Sequence, residues 1–109
     1  MYIARWLLTA HYGHKDAAIA LLRKWEVDVG QRIGWRASGI RVATGAIGVA
    51  QSHIEFEVRV DSLNDLESAW ADMGKNPYHA QYLKELEPHI MSGSNIWHVL
   101  QIIEFGSAD

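Results

Sequence analysis

Residues 53–60 read His-Ile-Glu-Phe-Glu-Val-Arg-Val, and no other stretch restricts the fold so tightly. Ile54, Phe56, Val58 and Val60 alternate strictly with His53, Glu55, Glu57 and Arg59. Successive side chains of a strand leave on opposite faces, so this period of two predicts a strand with one apolar and one polar face. The apolar face needs a cover, and the rest of the chain must supply it. The polar face then meets water, a ligand or a second copy.

Other strands and the cover follow from spacing. Tyr2–Ala10 is apolar and aromatic and reads as a first strand. A helix is predicted from about Lys15 to Val29, with Ala18, Leu21, Leu22, Trp25 and Val29 as its apolar stripe. Trp35–Thr44 reads as the second strand, and Gly45 and Gly48 bracket a turn before the third, Ser52–Val60. Ser62 is a good N-cap, with Leu63, Leu66, Trp70 and Met73 as the following stripe. Gly74 is expected to stop that helix. Asn76 caps a restarted one, and Pro77 suits its first position, where no N–H is needed. Tyr78, Tyr82, Leu86 and Ile90 continue its face, Pro88 closes it, and Ile96–Ile103 reads as the fourth strand. The order β-α-β-β-α-β with a split second helix is the ferredoxin-like pattern. The expectation is an α+β fold: a four-stranded antiparallel sheet with its helices on one face. Residues 1–105 are expected to form one domain, with a tail over 106–109.

Composition narrows the partners. The net charge of −3 argues against nucleic acid and against an anionic membrane, both of which call for a basic patch. With no Cys, thiolate ligands, Cys nucleophiles and disulfides are ruled out, which fits a reducing compartment and a cytoplasmic location. The first residues show neither a basic start nor a long apolar run, so no signal peptide is expected. No apolar run approaches the ~20 residues of a membrane span. The mixed polar face of Arg5, Arg41, Glu55, Glu57 and Arg59 predicts either an interface between two copies or a bound anion.

Four groups of residues suit chemistry. His79 falls in the first turn of the restarted helix, where the partial positive charge of the helix end keeps an imidazole neutral and able to accept a proton. Tyr78 and Tyr82 flank it as hydrogen-bond donors, and Trp70 and Trp97 supply an apolar wall. Against this stands the plain reading of a solvent-exposed helix-end histidine. Second, the topology gathers His11, His53 and His98, with His14 close by, toward one end of the sheet, where imidazoles can bind a metal. Gln101 on the polar side would turn His98 toward the helices. No compact ligand motif links these residues, so no metal and no cofactor are expected. Third, Arg5, Arg41 and His53 on the polar face can hold a carboxylate or phenolate. Fourth, Trp70 is followed by His79, and Trp70 reads mainly as core in the helix stripe.

The topology, and the run Leu63-Asn64-Asp65-Leu66-Glu67-Ser68-Ala69-Trp70 followed by Asn76-Pro77 and a second helix, resemble the dimeric α+β barrel superfamily, in particular NIPSNAP-like and EthD-like proteins. The resemblance implies two sheets facing each other across a homodimer, with a pocket between sheet and helices in each protomer. It also implies a choice among cyclisation, oxygenation, isomerisation, heme degradation and dechlorination, or binding alone. Pro77-Tyr78-His79 is similar to the Pro-Ala-His segment of the olivetolic acid cyclase type of polyketide cyclase, which implies a general base at His79. The tyrosine that partners that base aligns near Met73, so Tyr78 or Tyr82 must stand in. Trp70 and His79 are spaced nearly as in heme-degrading members, but the first strand lacks their Asn. The leading expectation is a cofactor-free enzyme on an aromatic, polyketide-like or enolisable small molecule, a cyclase or monooxygenase with His79 as base. The alternatives are a non-catalytic small-molecule-binding protein and a heme- or metal-dependent oxygenase.

Overall fold

In the computed structural model, residues 1–106 are described; the last three positions of the expected tail, 107–109, lie outside the described residues. Strand β1 is Tyr2–Thr9. Helix α1, Lys15–Trp25, gives way to a π-helical turn over Glu26–Gly30 and a 3-10 turn over Gln31–Ile33. Strands β2, Ile40–Thr44, and β3, His53–Val60, form a hairpin. Helix α2 is Leu63–Lys75, α3 is Pro77–Leu86, and β4 is Ile96–Gln101. The sheet order is β2-β3-β1-β4 with all neighbours antiparallel, as the ferredoxin-like reading predicts.

Besides α1, whose α-helical turns end at Trp25 rather than near Val29, these boundaries needed correction. Trp35–Gly39 is not strand: Gly34 turns at φ +92, Trp35 is buried, and Ala37–Gly39 is a 3-10 turn. Gly74 does not stop α2, which runs on through Lys75; the break comes at Asn76, whose ψ of 127 is extended. Strand β4 ends at Gln101 rather than Ile103. The cap residues behave as their chemistry requires. Ser62 Oγ accepts the Asp65 N–H at 3.1 Å, and Asn76 Oδ1 accepts the Tyr78 N–H at 2.8 Å, each satisfying a donor that the helix leaves free. Gly45 is obligatory for another reason: a Cβ there would collide with the Ala50 carbonyl, which closes the β2–β3 hairpin.

The helices cover one sheet face. Ala4 and Leu8 of β1 and Ile54, Phe56 and Val58 of β3 are at most 2% exposed beneath Ala18, Leu22, Leu66 and Ala69. Burying a Leu- or Phe-sized side chain is worth about 1.5–3 kcal/mol, so this layer supplies most of the driving force. The other face carries Ile3, Arg5 and Leu7, Glu55 and Glu57, Arg41, and Ile96, His98 and Leu100, as the register requires. One row crosses all four strands: Arg41, Glu57, Arg5, His98. Glu57 is only 6% exposed although no helix covers it, because Arg5 (3.1 Å) and Arg41 both close over its carboxylate. Among the described residues no helix is long and apolar enough to cross a membrane.

Candidate functional site

Between the sheet and the helices lies a cavity of about 430 Å³. Its floor is Trp6 of β1 and Phe56 of β3, and Trp97 of β4 forms one side. Helix α1 contributes Leu22 and Trp25, α2 contributes Trp70 and Met73, and α3 contributes His79 and Leu83. Asn95, just before β4, completes the lining. Four of the five Trp of the chain are therefore on its wall. Trp6 and Trp97 stack at 5.8 Å with ring planes 8° apart, and Trp70 stands edge-on to Trp97 at 5.7 Å. Trp70 and Trp97 are each 39% exposed and mark the mouth. Walls built of aromatic rings favour an aromatic or otherwise apolar guest.

Among the described residues, His79 is the only titratable group on this wall. Its position comes from the cap: Asn76 and Pro77 start α3, the His79 N–H reaches back to the Asn76 carbonyl at 3.3 Å, and the ring turns inward. Trp25 Nε1–H donates to His79 Nδ1 at 3.0 Å. Burial lowers the pKa of His79 below 6.5, because a charged ring there would lose part of its hydration. Asn76 also ties this end of α3 to the π turn, its Nδ2 donating to the Asp28 carbonyl at 3.2 Å.

The sequence places the wall well and the tyrosines badly. Trp70, Trp97 and His79 come together at the cavity as expected. Tyr78 and Tyr82 do not reach it. Tyr78 is 41% exposed and stacks on Tyr82 outside the cavity. The Tyr82 hydroxyl donates to Asp28 Oδ2, which pushes its pKa up to about 12, and burial and the Asp28 charge add to that. That proton is committed to a carboxylate and is not free for a substrate. Arg5, Arg41 and His53 lie on the opposite sheet face: the two arginines hold Glu57, and His53 Nε2 is 3.0 Å from Glu55 Oε1. They line no part of the cavity.

The histidine cluster also rearranges. His98 pairs with Arg5 in mid-sheet and shares the face of Glu57, away from the helices, so its expected direction was reversed. His11, His53 and His98 do not converge, and among the described residues no group of three ligating side chains is placed to hold a metal. His11 instead faces His14, whose Nδ1 lies 2.9 Å from His89 Nδ1. Trp6, Trp25 and Asn95 were missed. Trp25 sat in the helix stripe and read as core; the signal available was the number of Trp in so short a chain, more than one core of this size needs.

No protein-family model and no curated protein matches the chain. Solved structures do. A protein of Agrobacterium tumefaciens superposes with a TM-score of 0.78 at 14% identity, over 98% of this chain and 98% of its own. A NIPSNAP family protein of the same organism also gives 0.78 at 14% identity, over 96% of this chain and 88% of its own. SnoaB, a cofactor-independent oxygenase from Streptomyces nogalater, gives 0.69 at 8% identity, over 94% and 93%. At such identities the likeness is one of fold. The chain has the ferredoxin-like α+β fold shared by NIPSNAP-family proteins and antibiotic biosynthesis monooxygenases.

Proposed function

We propose that this chain, on the fold it shares with those proteins, is a small-molecule enzyme that works without a resident cofactor. Its substrate is an aromatic, polyketide-like or otherwise enolisable compound held against the wall of Trp6, Trp70 and Trp97. The observation that carries the reading is the pairing of a Trp-walled cavity with a single titratable group, His79. Apolar walls bind the ring system, and a polar group, His79, fixes its orientation and meets its oxygen, which is the usual division of labour in a ligand site. Cyclisation, oxygenation and isomerisation of such compounds share one need, a stabilised enolate or phenolate. The cofactor-independent oxygenase among the structural neighbours supports the cofactor-free form of the reading.

The test is a panel of polyhydroxy-aromatic compounds and linear β-polyketones, incubated with the protein in air and followed by mass spectrometry. Conversion of one class is expected, with His79→Ala turning over about 10²–10³-fold more slowly. Binding without conversion would make it a binding protein instead, and a His79→Ala variant as fast as wild type would remove His79 from the mechanism. We also propose that residues 1–105 act as one domain, and that two copies pair through the uncovered sheet face.

A further inference from the structure

Trp25 and His79 meet from positions 54 residues apart, with Trp25 Nε1 3.0 Å from His79 Nδ1. An indole nitrogen only donates. The ring nitrogen it meets must therefore present a lone pair, so His79 Nδ1 carries no hydrogen. A neutral imidazole has one N–H, which then sits on Nε2. We propose that Trp25 is a positioning residue that holds His79 as the neutral Nε2–H tautomer, so that the ring meets a substrate as a hydrogen-bond donor. This rests on the cavity being the substrate site, and it replaces the general base suggested by sequence with a group that holds an oxyanion. A base needs a free lone pair, and the one that His79 has is occupied.

Trp25 is built to stay where it is. It is 8% exposed, edge-on to Phe56 at 5.6 Å and 89°, and tilted against Trp35 at 5.7 Å. Gly30 lies against it: a Cβ there would stand 3.4 Å from the Trp25 ring. The backbone changes from α to π geometry immediately after Trp25, and Gly30 ends that turn, so the irregular winding brings Gly30 back under the indole. Burial works in the same direction as the indole by disfavouring the imidazolium.

The arrangement favours substrates that react through an oxyanion: a phenol, a naphthol or an enolised 1,3-diketone. Their O–H bond breaks, the electron pair stays on oxygen, and the proton passes to water at the mouth. His79 Nε2–H then stabilises the oxygen, as a preorganised donor does.

The test is nuclear magnetic resonance of the full chain with ¹⁵N-labelled His and Trp, at mildly alkaline pH, with His79 assigned by its loss in His79→Ala. Wild type is expected to show a protonated Nε2, an unprotonated Nδ1, and a scalar coupling across the N–H···N bridge to Trp25. Trp25→Phe should abolish that coupling and shift the Nδ1 resonance toward its exchange-averaged position. A wild-type His79 protonated on Nδ1, or ring resonances that Trp25→Phe leaves unmoved, would overturn the proposal. Should Trp25→Phe not fold, the wild-type coupling and tautomer decide alone. No substrate enters the measurement, so its outcome is separate from whether the panel above finds one.

Discussion

His79 takes up a proton less readily in the folded chain than in the unfolded one, because burial lowers its pKa from 6.5. As pH falls below about 6.5 the unfolded chain gains a proton that the folded chain refuses, so stability falls with pH until the folded ring is protonated too. Above 6.5 both forms are neutral and the contribution is fully present. Urea unfolding across this window should show stability declining on acidification, with a shallower decline in His79→Gln. Equal slopes would mean that the ring is not desolvated. At this scale the sequence named His79, Trp70 and Trp97, which share one cavity wall, but not the hydrogen bond that His79 accepts from Trp25. Periodicity sorts residues by face and says nothing about which nitrogen of a ring is occupied from 54 positions away. Tyr78 and Tyr82 lie off the cavity for the same reason: helical spacing set them beside His79, while Asp28, on another element, binds the Tyr82 hydroxyl.

Among the elements, α3 depends most on one residue. Asn76 accepts the Tyr78 N–H and donates to the Asp28 carbonyl, so Asn76→Ala removes a cap and a tether together. The expected loss is about 1–2 kcal/mol. Each kcal/mol lowers the melting temperature by about 4–8 °C in a domain of this size. Ser62→Ala removes one cap bond and should cost less; calorimetry showing the reverse order would refute the tether. Strand order and both caps were legible because each rests on local chemistry: alternation, a short polar side chain, a proline with no N–H to lose. The error at Trp35 arose because an apolar aromatic stretch suits a strand or a buried loop equally, and only packing against Trp25 decides it. The direction of His98 was lost because β4 is apolar on both faces: Trp97 and Val99 point toward the helices, Ile96 and Leu100 away.

At the scale of the whole molecule, the helices leave one sheet face uncovered. Ile96 and Leu100 there are 50% and 42% exposed, beside the closed ion-pair row around Glu57. An apolar strip beside a carboxylate already paired to two arginines is suited to an isologous pairing of two copies. Light scattering at micromolar concentration is expected to give twice the chain mass of 12.3 kDa, and Leu100→Asp should give the single mass without unfolding. A wild-type monomer would sink the pairing. The Trp-walled cavity has a consequence of another kind. The chain's near-ultraviolet absorption and emission come largely from the four indoles that line it, and the Trp6–Trp97 pair lies close enough for their excited states to couple. Any guest that enters alters the emission and the circular dichroism of those rings at once. The protein thus carries its own fluorescent indicator, and unlabelled compounds can be ranked by the light it gives back.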